Sequence, residues 1–193
     1  ALRCVFPLDF STMDATFAQA ARAGAAPPLD DFDLAILDIL QRDNTVPQRE
    51  IARAVHLSAP AVQRRIQRLR KSGVIRTEAA VLDASLLGRP LTLLVEVHVH
   101  DEHPQRTAGL RQRIADEPAV QQCYAITGEA DYLLVITAAT MADYQALTAH
   151  LFGGDDNVRR FRTSVALGCL KLGLQVPILN IGQTALQRPT GGR

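Results

Sequence analysis

Arginine and glutamine side chains are concentrated in one short segment of this sequence, LSAPAVQRRIQRLRKSGVIR, which runs from Leu57 to Arg76. The segment contains six basic residues and no acidic residue, although the whole chain of 193 residues has a formal net charge of only +1. Arginine and glutamine carry forked donors and acceptors that match the edges of guanine and adenine in the DNA major groove. The composition therefore predicts nucleic-acid recognition by this segment.

The spacing of the apolar residues predicts how the segment is oriented. At about 100° per residue, Val62, Ile66 and Leu69 form a narrow apolar stripe along one side of a helix. The opposite side is then free for DNA: small residues allow close approach, glutamine and arginine read bases, and the last cations contact phosphates. The expected DNA-binding residues are Ser58, Ala59, Ala61, Gln63, Arg64, Gln67, Arg68, Lys71 and Arg76.

A solvated basic face is the alternative interpretation of the segment, because many helices carry one. Arg65 is a special case, since it lies on the flank of the apolar stripe. We expect it to form an ion pair with Asp30 or Asp33 instead of contacting DNA. The sequence upstream of Leu57 favours the DNA interpretation, because a short helix and a tight turn are how a recognition helix is presented.

Two further helices are predicted ahead of this segment. The stretch LDDFDLAILDILQ has early aspartates that suit a helix N-terminus. Its expected apolar face consists of Phe32, Ile36, Ile39 and Leu40. QREIARAV predicts a short second helix, and HLS a tight turn that leaves Ser58 as the N-cap of the third. Three helices with such short turns predict a helix-turn-helix domain over residues 29–77.

The overall composition is that of a globular protein. Hydrophobic residues make up 47% of the chain, which is enough for a core, and no apolar run approaches the roughly 20 residues that cross a membrane. Cys4, Cys123 and Cys169 are widely spaced, which predicts reduced thiols of a cytoplasmic protein. No phosphate loop, nucleotide fingerprint or catalytic triad is found, so neither a cofactor nor an enzyme is expected.

The two ends of the chain carry no clear pattern. Residues 1–28 are expected to form a flexible extension, and Met13 within it is an alternative natural start. Residues 177–193 are expected to form a flexible C-terminal tail.

The second half of the chain alternates strands and helices. Residues 78–90 predict a linker strand and a hinge at LLGRP, and residues 91–176 read β-α-β-β-α-β. That order predicts a ferredoxin-like plait, in which two helices cover one face of a sheet. The expected buried residues of the first strand are Leu93, Val95, Val97 and Val99. Leu94 points to the other face, where an apolar patch requires a partner. The fold class is α+β, a winged helix-turn-helix followed by this plait.

The GEAD turn between two predicted strands has two interpretations. Gly128 and Asp131 are ordinary turn residues. Alternatively, the turn can aim backbone N–H groups at a carboxylate while Asp131 accepts from an ammonium group, and together these suit a free amino acid.

Three histidines, His98, His100 and His103, lie close together in the sequence. They could be taken for metal ligands, but no fourth ligand has a suitable spacing. An exposed polar face without a metal is expected.

Taken in order, these residues resemble the Lrp/AsnC (feast/famine) transcriptional regulators from about Leu29 to Val176. In the first domain the resemblance rests on Leu29-Asp30, Asp33, Ile36-Leu37, Glu50-Ile51-Ala52, Leu57-Ser58, Val62, Arg65-Ile66, Leu69 and Gly73-Val74-Ile75. In the second it rests on Thr127-Gly128-Glu129-Ala130-Asp131-Tyr132 and on Lys171. Thr45 and Pro47 depart from the family pattern, which usually has an arginine and a capping serine or threonine there.

The resemblance implies a homodimer, assembled further into an octamer, that binds pseudo-palindromic sites on double-stranded DNA. It also implies an amino-acid effector bound around the GEAD loop at a dimer–dimer interface, where it would shift the population of assembly states. On this basis the expected effector-binding residues are Tyr124, Thr127, Gly128, Asp131 and Tyr132.

Two alternatives remain at this point. Siroheme decarboxylases resemble the same two-domain layout, although Gln122-Cys123-Tyr124 stands where they carry a His-Asn-Tyr-like motif and the chain has no tryptophan. A ligand-independent, architectural DNA-wrapping protein would share the DNA-binding features. The sequence leaves open which amino acid is the effector, which genes are controlled, and whether they are activated or repressed.

Overall fold

The computed structural model describes residues 28–178. The predicted N-terminal extension with Met13 and Cys4, and the tail from residue 179 onward, lie outside the described residues. The described chain forms two compact units, one containing residues 28–80 and 171–178 and the other residues 81–170.

Three helices form the first unit, and they confirm the predicted helix-turn-helix arrangement. They are α1 (Asp31–Leu40), α2 (Gln48–Ala54) and α3 (Ala59–Lys71). The stripe of α3 faces inward, with Val62 and Ile66 in one apolar cluster with Ile36 of α1 and Ile51 of α2. None of these four side chains is more than 3% exposed. Phe32, expected on the buried face of α1, is instead 43% exposed.

Hydrogen bonds at the helix ends explain where α1 and α3 begin. Asp30 and Asp33 form a capping box, in which the Asp33 N–H donates to the Asp30 carboxylate at 2.9 Å and the Asp30 N–H to the Asp33 carboxylate at 3.2 Å. Ser58 is the N-cap of α3, as predicted, and its hydroxyl oxygen accepts from the Ala61 N–H at 3.4 Å. Pro47 precedes α2 and gives it no side-chain cap.

Two residues in the left-handed region shape the turns on either side of α3. His56, between α2 and α3, has a φ of 54°, which few residues other than glycine adopt. The Leu57 N–H then donates to the Ala52 carbonyl at 2.9 Å and closes the turn. Gly73 has a φ of 76° after α3, and the Ile75 N–H donates back to the Leu69 carbonyl at 3.1 Å. The second arrangement is a glycine-dependent helix stop.

The predicted linker strand is not formed in the described chain. Residues 76–83 have no regular structure, and residues 84–88 form a turn that ends at Gly88 with a φ of 76°. The physical reason is that a lone strand leaves its backbone N–H and C=O groups without a partner unless another strand lies beside it. The expected hinge at LLGRP thus coincides with the turn.

The second unit is a four-stranded antiparallel sheet with two helices, in the predicted β-α-β-β-α-β order. Its elements are β1 (Leu91–Val99), α4 (Pro104–Asp116), β2 (Val120–Ala125), β3 (Tyr132–Ala138), α5 (Met141–Phe152) and β4 (Val158–Val165). The strands lie in the order β2-β3-β1-β4, so β1 is central and pairs with β3 and β4. Both crossovers are helical, as a plait requires.

Both helices of this unit cover the same face of the sheet. Leu93, Val95 and Val97 of β1 have no exposed surface, and they share an apolar cluster with Leu110 of α4 and Leu151 of α5. The predicted inward face of β1 is therefore confirmed. Leu94, on the opposite face, is 40% exposed. We call the face that the helices do not cover the open face.

Residues 171–178 associate with the helix-turn-helix unit, although the expected second domain, residues 91–176, includes most of them. The side chain of Gln41, at the end of α1, donates to the Val176 carbonyl at 3.1 Å and accepts from the Val176 N–H at 2.9 Å. Ile178 is buried. The pairing of a side-chain amide with a backbone amide does not affect the hydrophobic periodicity of the sequence, so periodicity could not predict it.

None of the helices in residues 28–178 is long and apolar enough to cross a membrane.

Candidate nucleic-acid interface and ligand loop

An ion-pair cluster joins α3 to the first turn of α1. Asp33 has no exposed surface, and its carboxylate accepts from Arg65 at 2.8 Å and from Arg68. Arg65 also donates to Asp30 at 2.7 Å, and its guanidinium carbon lies 5.4 Å from the centroid of the Phe32 ring. The expectation that Arg65 pairs with Asp30 or Asp33 is confirmed, since it pairs with both.

Arg68, one of the expected DNA contacts, also forms an ion pair within the chain. It was expected to read DNA, but its guanidinium donates to the buried Asp33 carboxylate, although the side chain remains 54% exposed. The reason is electrostatic, because a carboxylate without contact to water requires cationic partners. Arg70 also pairs with an acid, donating to Glu78 at 2.9 Å.

The remaining basic residues of the segment are free for an external partner. Arg64, Lys71 and Arg76 are exposed and form no ion pair within the described chain. Gln63 and Gln67 are exposed beside Arg64 on the same side of α3. The other expected DNA contacts, Ser58, Ala59 and Ala61, lie at the start of the helix, where Ala59 and Ala61 are half-buried. One face of α3 thus offers two amides and a guanidinium without competition from acids.

The loop between β2 and β3 carries the expected effector-binding residues. Gly128 has a φ of 130°, which requires glycine, and Thr127 is exposed beside it. Asp131 closes the loop, because its carbonyl accepts from the Ile126 N–H at 3.0 Å and its N–H donates to the Val97 carbonyl at 3.0 Å. Its carboxylate accepts from the Val99 N–H at 2.6 Å. Asp131 therefore has a structural role as well as one carboxylate oxygen left for a ligand.

The two tyrosines near the loop lie on opposite faces of the sheet. Tyr124 is 50% exposed on the open face. Tyr132 is only 4% exposed and belongs to the apolar core, where its hydroxyl accepts from Arg111 Nε at 3.2 Å. Tyr132 therefore faces the core side of β3 and not the open face. Its position does not fit the expected contact with an effector at the loop.

The cysteines and histidines of the described chain differ in burial and in contacts. Burial raises the pKa of the Cys123 thiol to about 12, so it is not a nucleophile at neutral pH. His103 is the N-cap of α4, accepting from the Gln105 N–H at 3.4 Å. His98, expected at an exposed face, is 2% exposed. Residues 28–178 contain no group of three potential ligands that could hold a metal.

Comparison with known proteins matches each unit to a family model. Residues 29–76 match the winged helix-turn-helix DNA-binding family, and residues 92–175 match the Lrp/AsnC ligand-binding domain. An uncharacterised helix-turn-helix-type regulator of Sinorhizobium fredii is 33% identical over 79% of this chain and 90% of its own length. A leucine-responsive regulatory protein of Rhizobium meliloti is 33% identical over 78% of this chain and 96% of its own.

Two solved structures of transcriptional regulators are also similar to this chain. An AsnC-family regulator from Agrobacterium tumefaciens is 27% identical, with a TM-score of 0.74 over 79% of this chain and 99% of that one. A regulator from Neisseria meningitidis, solved as a complex with L-methionine, is 25% identical, with a TM-score of 0.73 over 78% of this chain and 97% of that one.

Substitution of Arg65 and of its neighbour Arg64 by alanine is expected to change the free energy of unfolding to different extents. Arg65→Ala should lower the free energy of unfolding by about 1–3 kcal/mol, because it leaves buried Asp33 with one cation fewer. Arg64→Ala, the matched control one residue earlier, should change stability by less than about 0.5 kcal/mol. Urea denaturation at one protein concentration measures both. Equal losses would contradict the division between inward and outward arginines.

Low pH should weaken the ion-pair cluster between α1 and α3, because it protonates the Asp30 carboxylate. The Asp33 N–H and the Arg65 guanidinium hold the Asp30 pKa below its ordinary value of 3.8. The resulting stabilisation is complete above the unfolded-state pKa and is lost as the pH falls through the lower folded-state pKa. Asp30→Asn keeps a good N-cap but removes the charge, so its melting temperature should fall less between pH 5 and pH 2. Asp31→Asn, in the same turn, serves as the control and should retain the steeper wild-type dependence.

Proposed function

The chain belongs to the Lrp/AsnC family of transcriptional regulators, and we propose that it binds specific double-stranded DNA through α3 in a manner controlled by a free amino acid. The observation that carries this proposal is the outward face of α3. There Gln63, Arg64 and Gln67 are exposed and form no side-chain hydrogen bond within the described chain, while the stripe on the other side is buried.

The proposed DNA contacts divide into two groups. Gln63, Arg64 and Gln67 would read base edges in the major groove, since amide and guanidinium groups make paired hydrogen bonds with adenine and guanine. Lys71 and Arg76, at the far end, would contact phosphates and give affinity without sequence information. Arg68 would serve both purposes, since it donates to the Asp33 carboxylate and its exposed half can approach a phosphate.

The proposed effector is a free amino acid bound around the loop from Thr127 to Asp131. Relatives support this class: one is named leucine-responsive, another a glutamate uptake regulator, and a third was solved with L-methionine. In this chain the residues around Gly128 are exposed, so their N–H groups would suit an amino acid's carboxylate, and the second oxygen of the Asp131 carboxylate would suit its ammonium group.

The proposed assembly is at least a dimer, in keeping with the two-fold symmetry of palindromic sites. Two exposed apolar surfaces support it. On the open face Leu94 and Tyr124 are 40% and 50% exposed. In the segment that follows β4, four leucines are 78–104% exposed: Leu167, Leu170, Leu172 and Leu174. Apolar surface of this extent favours a protein partner.

Light scattering tests the assembly. The purified chain should have at least twice its monomer mass of 21.0 kDa. The double variant Leu172→Ser and Leu174→Ser should shift it toward the monomer, because it removes apolar contact area. A monomeric wild-type chain at micromolar concentration would contradict the proposed assembly.

A gel-shift titration on the protein's own upstream DNA tests the function itself. Wild-type protein should bind with a steep salt dependence, and one of leucine, methionine or glutamate should change the affinity or the pattern of shifted bands. Arg64→Ala should weaken binding by about 5- to 150-fold, whereas Arg106→Ala, an equal change of charge on α4, should have little effect.

The result also separates this function from its alternatives. DNA binding that no amino acid changes would favour the architectural protein. No binding to duplex DNA at low salt would overturn the regulator, and absorbance of a bound tetrapyrrole would then favour the enzyme.

A further inference from the structure

An open groove lies between α5 and the edge strand β4, to which the proposed function gives no role. Its volume is about 430 Å³, and its lining includes Ala149 and Phe152 of α5 and Phe161 of β4. The rings of Phe152 and Phe161 are in contact, with centroids 4.9 Å apart. We call these two rings the aromatic floor. Phe161 is 42% exposed, so part of the aromatic floor is accessible to a ligand.

A β-bulge places two consecutive arginines at the groove. Val158 of β4 pairs with Val99 of β1. The next pair joins Arg160 to His98, so Arg159 is an extra residue on β4. In a regular strand, consecutive side chains point to opposite faces, whereas a bulge changes the direction of a side chain locally. Both Arg159 and Arg160 line the groove, and the bulge explains how neighbouring residues can do so.

The two arginines are free to bind a ligand. Arg159 and Arg160 are exposed, and their side chains form no ion pair or hydrogen bond within the described chain. Arg162, two residues later on β4, differs, because its guanidinium lies 3.8 Å from the Glu96 carboxylate. None of the described residues that line the groove is acidic. The groove therefore combines an apolar surface with positive charge that no acid in its lining compensates.

This combination suits an organic anion with an apolar body. A guanidinium binds a carboxylate through two parallel charge-assisted hydrogen bonds, and aromatic rings bury an apolar chain or ring. A free amino acid fits less well, because its ammonium group would lie beside two cations without a carboxylate to accept from it.

We propose that the groove is a second small-molecule site, which binds a monocarboxylate that has no α-ammonium group. Arg159 and Arg160 bind the carboxylate, and the aromatic floor contacts the apolar body. The β2–β3 loop contributes none of the described lining residues. The site is therefore separate from the proposed effector site, and it does not depend on the proposed function.

Protection of a free sheet edge is the competing explanation for these arginines. β4 lies at the edge of the sheet, and charges and bulges on an edge strand oppose pairing with other chains. Edge protection does not require an exposed aromatic surface beside the arginines, whereas a binding site for an apolar anion does. The binding site is favoured on this ground.

The test uses the full chain and ligand-observed NMR titration with the monocarboxylates hydrocinnamate, isocaproate and octanoate. At least one should bind saturably, and the tightest becomes the probe. Two analogues then compete with it: its amide, which lacks the negative charge, and its α-amino derivative, which adds an ammonium group. Each should displace the probe at least about tenfold less well than the parent acid does.

A substitution that fills the groove locates the binding. Ala149 is exposed on α5, so Ala149→Phe occupies the groove without entering the core and should weaken binding of the probe at least about tenfold. Ala146→Phe makes the same change at an exposed position of α5 outside the groove. This control should leave the affinity within about twofold of wild type.

The arginines are tested as a pair. The double variant Arg159→Gln and Arg160→Gln should weaken binding of the probe at least about tenfold, because it removes the charge-assisted hydrogen bonds. The double variant Arg106→Gln and Arg162→Gln removes the same charge from exposed positions outside the groove. It should leave the affinity within about twofold of wild type.

The outcomes decide the inference without involving DNA or the β2–β3 loop. Losses confined to the Ala149 variant and the Arg159–Arg160 variant would support the site. Equal losses in the control variants, unchanged binding in either test variant, or an amide that competes as well as the acid would overturn it. Failure of all the acids to bind the wild-type chain would also overturn it, while the proposed function would be unaffected.

Discussion

A carboxylate with no exposed surface determines how the recognition helix of this protein is held. Asp33 lies between α1 and α3, and its partners Arg65 and Arg68 both come from α3. Burying an unpaired carboxylate is prohibitively unfavourable, whereas burying a paired one is tolerated. The cluster therefore fixes the rotation of α3 about its own axis more tightly than the apolar stripe alone, because apolar contacts are not directional. The face that remains for DNA is a consequence of that rotation.

In the second unit, too, the packing of one face decides which face is left exposed. Its two helices cover one face of the sheet, so every strand has a buried side and a side that must find another use. On the open face, Leu94 of β1 pairs with Val135 of β3, whereas Glu96, two residues later, pairs with Leu133 of β3 and Arg162 of β4. His98, two residues further along β1, pairs with Arg160 of β4. The open face thus changes from an apolar pair at Leu94 to pairs that contain charged residues from Glu96 onward.

The main features of the fold could be predicted from the sequence because they depend on periodicity. Val62, Ile66 and Leu69 define α3 whatever surrounds them, and alternation along β1 assigns Leu93 and Leu94 to opposite faces. The site was less predictable, because ion pairs depend on which residues meet in space. Asp33 and Arg65 could be linked from the wheel, but the contact of Arg68 with the same carboxylate required coordinates. Tyr132 was misplaced for a different reason: a motif indicates proximity to a loop, whereas the register decides which face a side chain occupies. His98 was read as exposed because a polar residue type ordinarily is.

The pairing of Gln41 with Val176 has a consequence for how the protein can be divided. The DNA-binding unit is discontinuous in sequence, so residues 81–170 are in effect an insertion within it. A fragment that stops after α3 would lack Val176, whose backbone pairs with the Gln41 side chain. The ligand unit expressed alone through residue 178 would keep Val176 but lack Gln41. Dissection of the two activities is better done by circular permutation or by joining residue 80 to residue 171 through a short linker than by truncation.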